Sequence, residues 1–224
     1  MPVPILFGRY ALLDRLAVGG MAELFLAKAT GDGGFEKVCV IKRVLPHLAG
    51  NDAFVQMFLD EARIAARLEH PGIVQIFDLG KQGDDYYLAM EYLPGEDAAA
   101  ICEETARKQQ PMPLAVGCAI IAAAAEALHH AHEATAPDGK PLGIVHRDVS
   151  PANLFVTYRG QVKLLDFGIA RAEARLRQTQ TGEIKGKAGY MGPEQSKGLP
   201  VDRRADVWSL GVCLYELLAG QPLY

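Results

Sequence analysis

His146-Arg147-Asp148-Val149-Ser150-Pro151-Ala152-Asn153-Leu154-Phe155-Val156, followed closely by Val162-Lys163-Leu164-Leu165-Asp166-Phe167-Gly168, is the stretch that decides the fold. Two short apolar runs, 154–157 and 162–165, flank Tyr158-Arg159-Gly160-Gln161, the pattern of a hairpin with glycine in its turn. With Arg159-Gly160 as the loop, the register pairs 157 with 162, 155 with 164 and 153 with 166. Asn153 and Asp166 then face each other at the open end. An amide oxygen and a carboxylate are hard donors, suited to a Mg²⁺ that holds a phosphate. Asp148, five residues before Asn153, is placed to act as a base beside that metal. The same residue types at strand ends also serve as turn formers, and the hairpin alone leaves both readings open.

The neighbouring residues separate them. His146-Arg147-Asp148, an Asn five residues after the Asp, and then Asp166-Phe167-Gly168 resemble the catalytic and metal-binding loops of protein kinases. The resemblance runs from residue 8 to 224 without a gap and looks closest to the Ser/Thr kinases of bacteria. It implies an α+β, two-lobed protein kinase fold. Residues 8–92 form a five-stranded antiparallel N-lobe with one main helix, and 93–224 a mainly helical C-lobe that lacks its last helices. By resemblance the cofactors are ATP and Mg²⁺. Asp148 orients the acceptor hydroxyl and takes its proton, Asn153 and Asp166 hold the metal, and Lys42 clamps the phosphates.

Toward the N-terminus, residues 8–45 read as β. Leu16-Ala17-Val18-Gly19-Gly20-Met21-Ala22-Glu23-Leu24 places a glycine turn between two apolar strands, a geometry that brings backbone N–H groups near phosphate oxygens. It resembles the kinase glycine-rich loop with Ala17 and Ala22 standing where glycines are usual. Those alanines remove some φ freedom. Cys39-Val40-Ile41-Lys42 ends a β-type run. In 53–68, Phe54, Phe58, Glu61, Ala65 and Leu68 recur at steps of three and four, one helical stripe that is apolar except for Glu61. A carboxylate on such a face needs a cation, and the resemblance of Cys39–Lys42 to the kinase Val-Ala-Ile-Lys run makes Lys42 the candidate, as in the kinase lysine–glutamate pair. Ile73–Asp78 and Tyr86–Met90 read as two further strands around a Gly83-Asp84-Asp85 turn. Met90-Glu91-Tyr92-Leu93 then resembles the kinase hinge. Met90 is the expected gatekeeper, backbone groups of Glu91 and Leu93 meet the adenine edge, and Asp97 accepts from the ribose hydroxyls. Ala17, Val18, Gly19, Gly20, Leu24, Val40 and Phe155 complete the expected nucleotide contacts.

Toward the C-terminus, 113–132 reads as an alanine-rich helix with Leu114, Cys118, Ile121 and Leu128 inward. Its His129-His130-Ala131-His132 end suits a helix terminus better than a metal site. Residues 169–189 have the polar, breaker-rich composition of a kinase activation segment. Phosphorylation is expected there at Thr179 or Thr181, with Arg147, Arg175 and Arg177 as phosphate partners. Gly192-Pro193-Glu194 stands where kinases carry Ala-Pro-Glu. Asp202 is a candidate cap for a helix over 203–219 that is apolar nearly all round. Two positions depart from the family together. Ser150 replaces the usual lysine after the catalytic Asp, and Lys187 replaces the usual threonine after Gly186. Lys187 is expected to supply the ammonium and Ser150 the hydroxyl. Ile169, β-branched after Asp-Phe-Gly, points in the family to threonine as acceptor.

The 224 residues are 50% hydrophobic and 22% charged, enough for a sizeable core, with a net charge of −4 and no nucleic-acid footprint. Four scattered cysteines without a CxxC pair suit a reducing, cytoplasmic setting. The start is not expected to be a signal peptide, and the apolar windows 114–128 and 207–219 are expected to be too short and mixed to span a bilayer. The function expected is ATP-dependent transfer of phosphate to a protein Ser or Thr. The rivals are a nucleotide-binding scaffold without turnover and a small-molecule phosphotransferase of related fold.

Overall fold

The computed structural model describes residues 4–167 and 188–224. The chain divides into two compact units. Unit 1 takes Met1–Arg67 with Gln75–Leu93, and unit 2 takes Leu68–Val74 with Pro94–Tyr224.

Unit 1 is an antiparallel sheet of six strands in the order β1-β2-β3-β4-β6-β5. These are β1 (Ile5–Phe7), β2 (Tyr10–Val18), β3 (Ala22–Thr30), β4 (Glu36–Val44), β5 (Ile76–Gln82) and β6 (Asp85–Glu91). The expected five gain β1, which folds back on β2 through a tight Gly8-Arg9 turn, pairing Phe7 with Tyr10. Gly8 sits at φ +59°, open to glycine at no steric cost. One sheet face buries Phe7, Tyr10, Leu12, Phe25, Cys39, Ile41 and Ala89. The other packs Val44 and Leu88 against Phe58 and Ala62. The last two lie on α2 (Asp52–Ala65), whose Asn51 side chain caps the Phe54 N–H at 3.1 Å. Short α1 (Pro46–Ala49) precedes it. The helix stops at Ala65, so Leu68 lies beyond the stripe assigned to it. Strand β5 also starts late. Ile73 and Val74 instead join unit 2, where Ile73 bridges Leu164 in parallel and the Val74 N–H donates to the Leu164 carbonyl at 3.0 Å.

Unit 2 carries a small sheet, β7 (Gly95–Asp97), β8 (Leu154–Thr157) and β9 (Val162–Leu164), in that order. The hairpin register differs by one residue from the expected one. Leu154 pairs with Leu164, Phe155 with Lys163 and Val156 with Val162. The loop is longer than Arg159-Gly160 because Thr157 closes it twice. Its N–H donates to the Gln161 carbonyl at 2.8 Å, and its Oγ1 accepts the Gln161 N–H at 3.0 Å. Gly160 takes the left-handed position at φ +80°.

Around this sheet stand α3 (Ala98–Arg107), α4 (Leu114–His132), α5 (Pro193–Ser196) and α6 (Arg204–Ala219). The inward face of α4 is Gly117, Ile120, Ala124, Ala127, Leu128 and Ala131. Of the expected inward residues only Leu128 is among them; Leu114 and Cys118 are exposed and Ile121 half-buried. Close approach decides this. A Cβ at Gly117 would meet Leu218 at 2.7 Å, and Ala127 lies 3.0 Å from where Gly72 would carry one. By length and hydropathy α4 reaches the range of a membrane-crossing helix, beyond what the sequence windows suggested, yet it packs here on α6 and β9. Helix α6 buries Ala205, Asp206, Ser209, Leu210, Val212, Cys213 and Leu217. It is not covered all round, since Val207, Trp208 and Tyr215 are exposed. Asp202 does bind its start, accepting the Arg204 N–H at 2.9 Å.

Candidate active site

Within unit 1 the pairing of β3 with β4 sets Leu24 opposite Lys42, and the pairing of β4 with β6 sets Val40 opposite Met90. Alternation along β4 puts Leu24, Val40, Lys42 and Met90 on one sheet face. The Lys42 ammonium lies 3.9 Å from Glu61 Oε1, with side chains only 12% and 16% exposed. Glu61 thus reaches the lysine from α2 in the partly desolvated setting where a lone carboxylate is costly. The turn Val18–Met21 is closed by the Gly19 N–H on the Ala22 carbonyl at 2.9 Å. Among the described residues the only non-glycines at positive φ are Gln109, Arg147 and Asp166. Ala17 and Ala22 therefore occupy backbone that alanine adopts freely, and their loss of φ freedom carries no strain. Val18 is exposed and Leu24 half-buried. At the end of β6 the Glu91 N–H donates to the Gln75 carbonyl at 3.0 Å, and Glu91 Oε1 accepts the Gln75 N–H at 2.9 Å. The Glu91 N–H is thereby committed to its own sheet.

Unit 2 builds its part from the loop 146–153. Asn153, 6% exposed, donates through Nδ2 to the Asp148 carbonyl at 2.7 Å and to Asp148 Oδ2 at 3.1 Å. That network consumes the amide N–H groups and turns Oδ1 away from Asp148. Asp166 is not opposite Asn153 in the ladder, because the Leu165 N–H donates to the Asn153 carbonyl at 2.9 Å. The one-residue slip of the hairpin causes the difference. Asp166 adopts φ +42° and Arg147 φ +65°, conformations that an L side chain takes only when its surroundings impose them.

Two side chains impose them. His146 is fully buried and bridges the two loops. Its Nε2 donates to the Leu165 carbonyl at 2.9 Å, and its Nδ1 accepts the Asp148 N–H at 3.3 Å. One nitrogen donates and the other accepts, so the ring is neutral. Burial holds its pKa down against the pull of Asp206 and Asp148. The ring also packs on Phe167 at 4.6 Å. The second is Asp206 on α6, with no exposed side-chain surface. Its Oδ2 accepts the His146 N–H at 2.8 Å and lies 2.8 Å from His132 Nε2, and its Oδ1 accepts the Arg147 N–H at 2.8 Å. Gln195 on α5 adds a bond from Nε2 to the Arg147 carbonyl at 2.7 Å. Asp206, His132 and Gln195 were not singled out from the sequence as site residues. The signal for Asp206 was present: it shares a helical stripe with Leu210, Cys213 and Leu217, as Glu61 shares one with apolar neighbours.

Ser150, 3% exposed, lines a small cavity with Arg147, Asp148, Val149, Tyr190, Met191 and Ser209. Its hydroxyl has no hydrogen-bond partner among the described residues. Asp97 spends Oδ1 on capping α3, accepting the Ala100 N–H at 2.8 Å, and Phe155 is half-buried in β8. Gly168, Ile169, Arg175, Arg177, Thr179, Thr181, Gly186 and Lys187 lie outside the described residues. The expectations resting on them concern the phosphorylation sites, the Ser150–Lys187 exchange and the acceptor preference. Of the three clustered histidines, His132 binds Asp206 and His130 stacks on His70 at 4.9 Å. Among the described residues no group of three or more His, Cys, Asp or Glu could hold a metal. A Mg²⁺ shared with phosphates needs no such group. The donor set of Asn153 Oδ1 and the Asp166 carboxylate, both hard oxygens, fits that ion.

The protein kinase domain model matches residues 10–224. Over 218 residues the chain is 56% identical to the tyrosine-protein kinase MasK of Myxococcus xanthus, covering 96% of this chain and 34% of that protein. Over 224 residues it is 40% identical to the serine/threonine-protein kinase PknB of Mycobacterium leprae, covering 98% and 34%. It therefore spans about a third of the length of these relatives. The crystal structure of the PknI kinase domain of Mycobacterium tuberculosis superposes with a TM-score of 0.75 at 32% identity, covering 100% of this chain and 79% of that one.

Proposed function

The chain belongs to the protein kinase family, and from that premise we propose that it transfers the γ-phosphoryl group of ATP to a protein hydroxyl, with serine or threonine as acceptor. The observation that carries the proposal is the buried Asp148–Asn153 pair, held by the His146 and Asp206 bonds. Asn153 fixes the Asp148 carboxylate in one orientation, so its other oxygen can meet an acceptor hydroxyl and take its proton as the hydroxyl oxygen bonds to the γ-phosphorus and the bond to the β–γ bridging oxygen breaks, releasing ADP. Lys42, steadied by Glu61, binds the nucleotide phosphates. Asn153 Oδ1 and Asp166 would hold Mg²⁺, which supplies charge neutralisation of the phosphates when bound. Catalysis of this kind is positioning and electrostatics rather than covalent chemistry. The acceptor is a protein, and the setting is the cytoplasm.

A second reading of the acceptor, tyrosine, is favoured by the relative named a tyrosine-protein kinase. Incubating the chain with γ-labelled ATP and a mixed protein acceptor, followed by phosphoamino-acid analysis, decides between them. Phosphoserine and phosphothreonine are expected; phosphotyrosine alone selects the second reading. Asp148→Asn is expected to bind ATP but transfer roughly 10²–10⁴-fold more slowly, and Lys42→Met to lose both properties. Near-normal transfer by Asp148→Asn refutes the role given to it.

A further inference from the structure

Glu23 is a carboxylate in the middle of a sheet, 7% exposed, on the residue where β3 leaves the glycine turn. Its Oε1 accepts two bonds from Arg43 of β4, from Nε at 3.0 Å and Nη2 at 2.7 Å. Its Oε2 lies 3.9 Å from Arg15 of β2. Arg43 reaches on through Nη1 to Asp85 of β6 at 3.3 Å and stacks over Phe25 at 5.1 Å. Four strands thus meet at one buried charge. Glu23 and Arg43 are directly opposite in the ladder, one residue from the Ala22↔Val44 and Leu24↔Lys42 pairs. The Leu45 N–H also binds the Met21 carbonyl at 3.1 Å. One arm of the Val18–Met21 turn is therefore zipped to the strand of Lys42, on the sheet face that Lys42 does not use.

We infer that Glu23 and Arg43 are positioning residues that fix the glycine turn at one depth relative to Lys42, and so set nucleotide affinity. The inference rests on the reading of that turn as a phosphate-binding loop. A turn with alanine at 17 and 22 cannot rely on glycine at those positions to adjust around a ligand. It must be held in place by its base, where Val18 of β2 pairs with Glu23 itself. The β2–β3 register is irregular between Arg15 and Ala17. Oε1 carries both Arg43 bonds, so an amide in place of the carboxylate keeps an acceptor there, whereas a methyl group removes it.

The full chain is tested with a fluorescent ATP analogue, steady-state kinetics and amide hydrogen exchange. Glu23→Ala and Arg43→Met are each expected to raise the nucleotide Kd and the KM for ATP about fivefold or more, with kcat at saturating ATP within about threefold. Exchange at residues 18–22 rises in both. Glu23→Gln stays within about twofold of the parent. Glu36→Gln is the control: it breaks the exposed Lys28–Glu36 pair at the far end of the same strands and changes neither reading. If Glu23→Ala does not fold, Arg43→Lys replaces it, keeping charge but not both contacts, with Kd expected to rise at least about twofold. A lowered melting temperature with unchanged Kd and unchanged turn exchange overturns the inference. A parent chain that binds no ATP overturns the nucleotide reading instead, and turn exchange then still judges the positioning claim by itself.

Discussion

Replacing Asp206 by Asn tests how much of unit 2 depends on one buried carboxylate. Its two oxygens take the His146 and Arg147 N–H groups and approach His132 Nε2. An asparagine has one oxygen. With that oxygen toward His146 and His132, its NH₂ confronts the Arg147 N–H, donor against donor. With the reverse orientation two donors lose their acceptor. The milder case leaves the half-buried Arg147 N–H without its carboxylate acceptor and facing a second donor. A loss of about 3–5 kcal/mol is expected, a large part of the roughly 5–15 kcal/mol that holds a domain folded. Trp208, the single tryptophan, lies two residues from Asp206 and reports unit 2 during urea unfolding. With m at about 3 kcal/mol/M, the midpoint should fall by roughly 1–1.7 M at unchanged m. A drop of less than about 0.3 M, below 1 kcal/mol, refutes the assignment of Asp206 as the anchor of the catalytic loop.

Acid lability is expected to begin where histidine titrates. The buried His146 has a pKa held below 6.5, first by burial, so the unfolded chain binds more protons than the folded one as pH falls through that value. Stability is then full above about pH 6.5 and falls below it, by up to about 1.4 kcal/mol per pH unit until the folded pKa is reached. Melting temperatures flat from pH 7 to 5 contradict this. Gly95→Ala should lower stability by about 1–3 kcal/mol, because the new Cβ collides with the Val156 carbonyl and would lie 2.6 Å from Thr157 Cα. A melting temperature unchanged or raised by this substitution rejects the packing argument.

The parts of the fold legible in the sequence were those where one residue class had one possible place. The strands of unit 1, the helix carrying Glu61 and the hairpin after Asn153 announced themselves by period and by glycine turns. The errors arose where two geometries shared a pattern. The 154–164 hairpin fits a two-residue loop as well as the longer one, and only the Thr157 side chain on the Gln161 N–H selects the latter. In α4 the apolar pattern alone selects Leu114, Cys118, Ile121 and Leu128 as the inward face. Besides Ile120 and the expected Leu128, the helix turns glycine and alanine inward, since a backbone approaching α6 at Gly117 leaves no room for a large side chain there. Pattern reading weighs hydrophobicity, while close packing weighs volume, and the two rank an alanine-rich helix in opposite orders.

The site follows the same rule with a sharper signal. A carboxylate inside an apolar stripe is costly unless it meets a cation or several donors. That argument marks Glu61 as needing a cation, the kinase resemblance names Lys42, and the structure sets the two 3.9 Å apart. Applied to α6 it would have marked Asp206, which lies on the stripe of Leu210, Cys213 and Leu217. It was missed because its partners are backbone N–H groups about sixty residues away. No side-chain pattern announces those. Glu23 shows the remaining case: in a strand, a buried acid hides within ordinary alternation until the register places an arginine opposite. A buried acid read from a helix therefore asks which cation answers it. One read from a strand asks which register is correct, and the Glu23↔Arg43 pair answers by fixing β3 against the strand that carries Lys42.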